Sequence, residues 1–204
     1  PRRVLVIACG ALAREVRAVL EANRLDHIDL TCLPAILHNR PEKIPEAVRA
    51  AVRENRGRYD RIAVAYADCG TGGLLDRVCE EEGVSRIAGP HCYAFFSGTE
   101  AFLAREDADM DAFFLTDFLA RQFDAFVVEP LGLDRHPELR DMYFGNYRRL
   151  IYLAQTEDAE LDAKAQAAAT RLGLSYEKRF TGLGDLTNFL ADFAEPHPAR
   201  NAVG

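Results

Sequence analysis

The sequence predicts an α/β protein in which a mostly parallel sheet carries helices on both faces. Short apolar runs alternate along the chain with amphipathic tracts, which is typical of strands that alternate with helices. These runs do not alternate polar with apolar residues, which indicates strands covered on both faces. We expect a single domain over residues 1–194 made of two βαβ-type halves, about 1–105 and 106–194, followed by a disordered tail over 195–204.

Four strands and three main helices are predicted in the first half. The strands are expected over residues 3–9, 27–33, 61–67 and 85–89. The helices are expected from about residue 11, over 45–57 and over 72–82. Pro45 suits the first turn of the second helix, and Gly83 suits the end of the third.

The second half begins with a region predicted to be mainly helical, residues 107–132. It would place Phe114, Leu115 and Phe118 on one face that covers the core. A short helix is expected over 137–147, and a strand, a helix and a strand are expected over 148–155, 158–173 and 175–180. A loop and a helix over 181–193 close the predicted fold.

The composition limits the classes of function. The chain has 204 residues, 49% of them hydrophobic, so it can bury a full core. Its formal net charge of -7 argues against a broad nucleic-acid surface, and no apolar run approaches the ~20 residues that span a bilayer. We therefore expect a cytoplasmic protein with a small-molecule substrate and with neither nucleic acid nor membrane as a partner.

Three of the five cysteines follow predicted strands. Cys9 ends the first strand, Cys69 follows the third and Cys92 follows the fourth. Because the carboxyl ends of parallel strands meet at one edge of a sheet, we expect these thiols to lie close together where such folds bind ligands. Cys32, inside a strand, and Cys79, inside a helix, are expected to be buried core residues.

Histidines join this edge, since His38 follows the second predicted strand and His91 precedes Cys92. Thiolates and imidazoles together suit zinc, or iron including an iron–sulfur cluster. Carboxylates are scarce here, which disfavours magnesium and calcium. The predicted metal ligands are Cys9, Cys69, Cys92 and His38. The candidate catalytic residues are His38, His91 and Tyr93, with a histidine as acid or base and the aromatic ring excluding water.

The turn "CGTGG" gives a candidate cofactor-binding segment at Gly70, Thr71, Gly72 and Gly73. Glycine permits a tight turn and leaves room for a ligand. The helix that follows is expected to lower the pKa of the Cys69 thiol and favour thiolate. The segment lacks the lysine of a P-loop and the GxGxxG spacing, so no nucleotide is indicated. "TGLGDL" at 181–186 is a further candidate for anion binding on free amides.

Several motifs together resemble a known family: "CGTGG", "LHN" and "HCY", with "ACGAL" near the start and "TDFL" further on. From Val4 to about Leu186 the pattern is similar to family 1638 of the domains of unknown function. The matching positions are Cys9, Glu15, His38, Asn39, Cys69, Gly70, Gly72, Gly73, His91, Cys92, Tyr93 and Asp117. Members are often encoded beside corrinoid-dependent methyltransferases for methylated amines. The resemblance therefore implies one-carbon chemistry and a corrinoid protein or methyltransferase as partner.

Two acidic residues of this pattern are not among the predicted metal ligands or catalytic residues. Glu15 is expected to be a surface residue. Asp117 is expected to hold a loop amide or a histidine in place.

Three functions stay open on the sequence. The first is a metal-thiolate protein that binds zinc or iron and catalyses methyl transfer or lyase-type chemistry. The second is metal-free catalysis by cysteine, as in cofactor-independent racemases, whose motifs are matched only in part. The third is an accessory protein that carries a metal, a cluster or a corrinoid to a partner. We favour the first, because three cysteines converge with histidine whereas a racemase needs two thiols. A homo-oligomer is compatible with all three.

Overall fold

The computed structural model describes residues 3–194 and has the predicted α/β architecture. Within that range seven strands form two sheets, and every strand pair is parallel. The strands are β1 (Val4–Cys9), β2 (Ile28–Leu33), β3 (Arg61–Ala65), β4 (Ser85–Arg86), β5 (Ala112–Leu115), β6 (Arg149–Ala154) and β7 (Ser175–Phe180). The tail predicted at 195–204 lies outside the described residues.

Helices occupy the connections between the strands and flank both sheets. In the described range they are α1 (Ala13–Ala22), α2 (Ile44–Asn55), α3 (Leu74–Glu82), α4 (Cys92–Ser97), α5 (Thr99–Leu103), α6 (Asp117–Arg121), α7 (Leu139–Phe144), α8 (Ala159–Leu172) and α9 (Asp185–Ala194). A 3₁₀-helix covers Ala35–Asn39, and a π-helical turn covers Asp124–Val128. None of the helices between residues 3 and 194 combines the length and the apolar character needed to cross a bilayer.

The first sheet has the strand order β2-β1-β3-β4. All six residues of β1 are buried, which agrees with its unbroken apolar sequence. The registers place Cys9 opposite Leu33 and Ala8 opposite Ala65, so the carboxyl ends of these strands form one edge. Cys79 in α3 is buried as predicted, but the predicted burial of Cys32 is wrong. Cys32 is exposed because β2 is an edge strand.

The second sheet has the order β5-β6-β7, with β6 in the centre. The helix predicted over 107–132 is wrong at its middle, because Ala112–Leu115 forms β5 and pairs with β6. Phe113 and Phe114 alternate across this strand: Phe113 packs on Phe144, whereas Phe114 packs on Tyr93. A short apolar run is ambiguous between helix and strand, and here pairing with β6 selects the strand.

The last helix returns to the first sheet. Leu186 and Leu190 of α9 are fully buried in the core that contains β1 and β3. The chain enters α9 through Gly184, where an added Cβ would lie 2.2 Å from the Phe95 carbonyl oxygen. Only glycine allows so close an approach to α4. Residues from the end of the described chain therefore complete the core of the first half.

Candidate functional site

The carboxyl edge of the first sheet carries the three predicted cysteines. Cys9 is the last residue of β1, Cys69 lies in the turn between β3 and α3, and Cys92 is the first residue of α4. Burial raises the pKa of Cys69 and of Cys92, and nearby thiols raise them further: Cys9 acts on Cys69, and both act on Cys92. The three thiols therefore lie close enough together for the charge of one to shift the pKa of another, although they are far apart in sequence.

Cys69 has a strained backbone in a turn that Asp68 holds together. Its φ of 51° lies in the left-handed region that residues other than glycine rarely adopt. The Asp68 carboxylate accepts hydrogen bonds from the Gly72 amide (3.2 Å), the Gly73 amide (2.9 Å) and the Thr71 hydroxyl (2.7 Å). The Cys69 amide donates to the Pro90 carbonyl oxygen at 2.7 Å. These bonds hold the thiol against the loop that precedes Cys92.

The predicted cofactor-binding segment is the same turn. Gly72 and Gly73 have φ values of 62° and 83°, which favour glycine. Their amides donate to Asp68, and Thr71 is buried. Gly70 and Gly72 are exposed. A ligand at this turn would therefore contact the outer backbone of Gly70 and Gly72 instead of a cradle of free amides.

Burial determines the protonation of the three thiols. Removal from water raises the pKa of Cys9, raises that of Cys69 to about 12, and raises that of Cys92 well above its ordinary value. The expected lowering of the Cys69 pKa is wrong, because burial and the charges of Cys9 and Asp68 outweigh the backbone hydrogen bonds with Cys92 and Ala67. At pH 7 all three side chains are neutral thiols.

Tyr66 is a site residue that the sequence reasoning missed. It lies just beyond β3, it is 1% exposed, and its hydroxyl is beside the Cys9 thiol. The hydroxyl has no hydrogen bond of acceptable geometry within residues 3–194. A buried hydroxyl without a partner costs free energy unless something else binds it. The sequence did carry one indication of this role, because Tyr66 places a polar hydroxyl at the carboxyl end of an otherwise apolar run.

His38 and His91 lie on two loops of the same edge. Burial lowers the pKa of both imidazoles, and the charge of His91 lowers that of His38 further, so the rings are near each other. Neutral imidazole is the form that binds a metal or accepts a proton. The His91 ring stacks on Tyr93 with centroids 4.7 Å apart, and Tyr93 stacks on Phe114 at 5.1 Å. An aromatic wall therefore borders the histidines.

These side chains do not form a closed metal site as they stand. In the part of the chain that is described, no group of three or more His, Cys, Asp or Glu side chains is arranged to hold a metal ion. The thiols and imidazoles are gathered at one edge, but they do not surround a common point.

The two acidic residues of the motif pattern are both buried. Glu15 is 6% exposed, so the expected surface position is wrong; it faces the second half of the protein, where the charge of Asp117 acts on it. The role expected for Asp117 is confirmed, because its carboxylate accepts hydrogen bonds from the amides of Gln155 and Thr156, both at 3.0 Å.

Fold and site together define an α/β protein of two parallel sheets, the first of which ends in a partly buried group of thiols and imidazoles. The chain belongs to the family described as "Protein of unknown function (DUF1638)", whose model matches residues 32–190. This confirms the family that the motifs indicated. The match includes His38, Cys69 and Asp117 and begins after Cys9. No curated protein and no solved structure matches the chain.

Proposed function

We propose that the carboxyl edge of the first sheet binds zinc or iron, the latter alone or as an iron–sulfur cluster, through Cys9, Cys69 and Cys92. The support is that three cysteines from separate segments of the chain gather at one edge beside the Tyr66 hydroxyl, which lacks a hydrogen-bond partner among residues 3–194. A cluster of thiols beside an unpaired hydroxyl, at the edge of a parallel sheet where ligands commonly bind, supports a binding site.

The donor set fits a soft metal. All five cysteines are free thiols, and sulfur with imidazole is a ligand set of zinc and iron. Asp68, the carboxylate adjacent to Cys69, holds the glycine turn, which disfavours magnesium or calcium. His38 or His91 would supply a fourth ligand, because burial keeps both imidazoles neutral at pH 7.

Binding would require the side chains to turn. Because no group of three among the described residues already surrounds a common point, the thiols would rotate toward the ion and lose their protons as it binds. A bound zinc or ferrous ion would supply Lewis-acid chemistry and keep the sulfurs ionised. The histidine that is not a ligand would accept a proton, and the Tyr93 wall would exclude water from the substrate.

The activity we propose is methyl transfer or lyase-type chemistry on a small molecule in one-carbon or methylamine metabolism. A corrinoid protein or methyltransferase would be the partner. The family resemblance alone supports this part. An accessory protein that carries a metal or cluster would use the same site without turnover of its own.

Metal analysis of protein purified without oxygen tests the site. We expect about one equivalent of zinc or iron in the wild type and in the matched controls Cys79→Ala and Cys32→Ser. Serine at Cys9, Cys69 and Cys92 together should reduce the content below about a tenth of an equivalent. The absorption spectrum distinguishes zinc from iron–sulfur. A wild-type protein that contains no metal and takes up neither zinc nor ferrous iron would overturn the proposal.

Alkylation separates this proposal from metal-free catalysis. A catalytic cysteine without metal needs a thiolate near neutral pH, whereas burial raises the pKa of Cys69 to about 12. We expect iodoacetamide to modify exposed Cys32 first and the three site cysteines slowly, as followed by mass spectrometry. Rapid modification of Cys69 or Cys9, with activity that survives a chelator, would favour the racemase-like alternative.

A further inference from the structure

A cleft of about 600 Å³ lies between the two halves of the protein. Arg14 and Glu15 of α1 form one wall, and Arg121 of α6 contributes to the facing wall. The loop after β6 and Leu183 border the rest. The cleft therefore lies beside the carboxyl edge of the second sheet, where parallel sheets commonly bind ligands.

Two guanidinium groups line this cleft without being neutralised by a partner. The guanidinium groups of Arg14 and Arg121 form neither a hydrogen bond nor a salt bridge with any residue in the range 3–194. Several arginines elsewhere in the chain are paired; Arg179, for example, bonds to Asp109 through both terminal nitrogens, at 2.6 and 2.9 Å. An unpaired guanidinium presents a planar fork of donors that matches a carboxylate or a phosphate.

Glu15 adds a second, independent sign of a ligand. Its side chain is more than nine-tenths buried, and Oε2 has no hydrogen-bond partner within the described residues. Burial first, and then the charge of Asp117, raise the pKa of this carboxyl, although Arg121 and Arg14 act in the opposite direction. Burial favours the protonated form of this carboxyl, and a protonated Oε2 would donate a hydrogen bond to an oxyanion in the cleft.

The rim selects against highly charged ligands. Glu157 is exposed at the edge of the cleft. Asp117 also lines it, but both of its oxygens already accept hydrogen bonds from Tyr152, Gln155 and Thr156. These negative charges, together with that of Asp158, which also lines the cleft, favour the single charge of a carboxylate over the larger charge of a phosphate.

We propose that this cleft binds a small molecule through an oxyanion group held between Arg14 and Arg121, with Glu15 as a hydrogen-bond donor. The ligand group is a carboxylate or a phosphate, which share this donor requirement. The site is separate from the cysteines and does not depend on a metal there.

Titration of the full chain with sodium acetate and with inorganic phosphate tests the proposal. Both titrations are carried out at constant ionic strength and are followed by amide chemical shifts. We expect saturable shifts around Arg14, Arg121 and Thr156 for at least one probe, with Kd in the range of about 1 mM or below. The probe that binds more tightly identifies the group as carboxylate or phosphate. Arg14→Gln with Arg121→Gln should weaken binding by at least about tenfold.

Three further variants control the experiment. Arg17→Gln, also on α1 but not among the residues that line the cleft, should leave Kd unchanged. Glu15→Leu should weaken binding, whereas Glu15→Gln, which retains a donor, should bind nearly as well as the wild type. If the glutamine pair does not fold, Arg14→Lys with Arg121→Lys, which keeps the charges but loses the planar forks of donors, should still weaken binding relative to the wild type, and an unchanged Kd in the lysine pair would overturn the proposal. Equal Kd in the glutamine pair, or no saturation by either probe up to about 50 mM, would overturn the proposal.

Discussion

Asp117 is a fully buried carboxylate that joins α6 to the loop after β6. Its exposed fraction is 0%. One oxygen accepts hydrogen bonds from the Tyr152 hydroxyl at 2.7 Å and from the backbone amide of Gln155 at 3.0 Å. The other accepts from the amide and the hydroxyl of Thr156, at 3.0 and 2.6 Å. Four donors from β6 and its loop therefore depend on one side chain.

We expect Asp117→Ala to lower the free energy of unfolding by about 4 kcal/mol. The Tyr152 hydroxyl and the Gln155 amide belong to buried residues, and each loses its partner at a cost of about 2 kcal/mol. Thr156 is exposed, so water can replace its partner at little cost. For a chain of this length the loss corresponds to a fall in Tm of roughly 8–16 °C. Asp117→Asn keeps one acceptor oxygen, so its free energy of unfolding should lie between those of the wild type and Asp117→Ala.

Urea unfolding followed by circular dichroism measures this difference. Asp107→Ala is the matched control, because Asp107 is exposed, and it should change stability by less than about 0.5 kcal/mol. A loss below about 1 kcal/mol for Asp117→Ala would refute the reasoning, since the buried donors would then have found other partners.

Two further predictions concern a glycine and a buried ion pair. Gly184→Ala should cost more than about 3 kcal/mol, because its Cβ would lie 2.2 Å from the Phe95 carbonyl oxygen; Gly182→Ala, with φ of 59° and nothing within 4 Å, should cost about 1 kcal/mol. Equal losses in thermal unfolding would contradict this. Hydrogen bonds from Arg53, Arg56 and Arg49 lower the pKa of Glu82 from 4.5 to about 2. A carboxyl with a lowered pKa in the folded state stabilises the protein above its unfolded pKa, and this stability is lost as the pH falls toward the folded value. The stability difference between wild type and Glu82→Gln should therefore shrink from about pH 4.5 to about pH 2 in urea unfolding, and a constant difference would contradict the ion-pair assignment.

Most of the fold could be predicted because apolar runs that mark strands, and glycines that end helices, recur along the chain. The run of β1 and the helix end at Gly83, whose φ is 66°, are local features that sequence patterns report directly. β5 could not be recognised in this way. Its four residues are apolar and flanked by helical sequence, and its conformation depends on pairing with β6, which lies about 35 residues further on.

The candidate site also has features that the sequence could predict and features that it could not. Parallel strand ends predicted that Cys9, Cys69 and Cys92 would gather at one edge, since chain topology alone requires it. The pKa of Cys69 could not be predicted, because it depends on how completely the other loops cover the thiol. The inward position of Glu15 depends on the second half packing against α1, and a single glutamate on a helix carries no sign of that.

The return of α9 to the first sheet affects how the chain folds as it is synthesised. Strands β1 to β4 leave the ribosome long before Leu186 and Leu190, which fill the same core. Until those leucines arrive, the nascent chain exposes an apolar surface near Phe95 and Phe96, and such surfaces attract chaperones or aggregate. A stop codon before residue 185 would leave that surface uncovered permanently, so a truncated product would be recognised and degraded although its first four strands were intact.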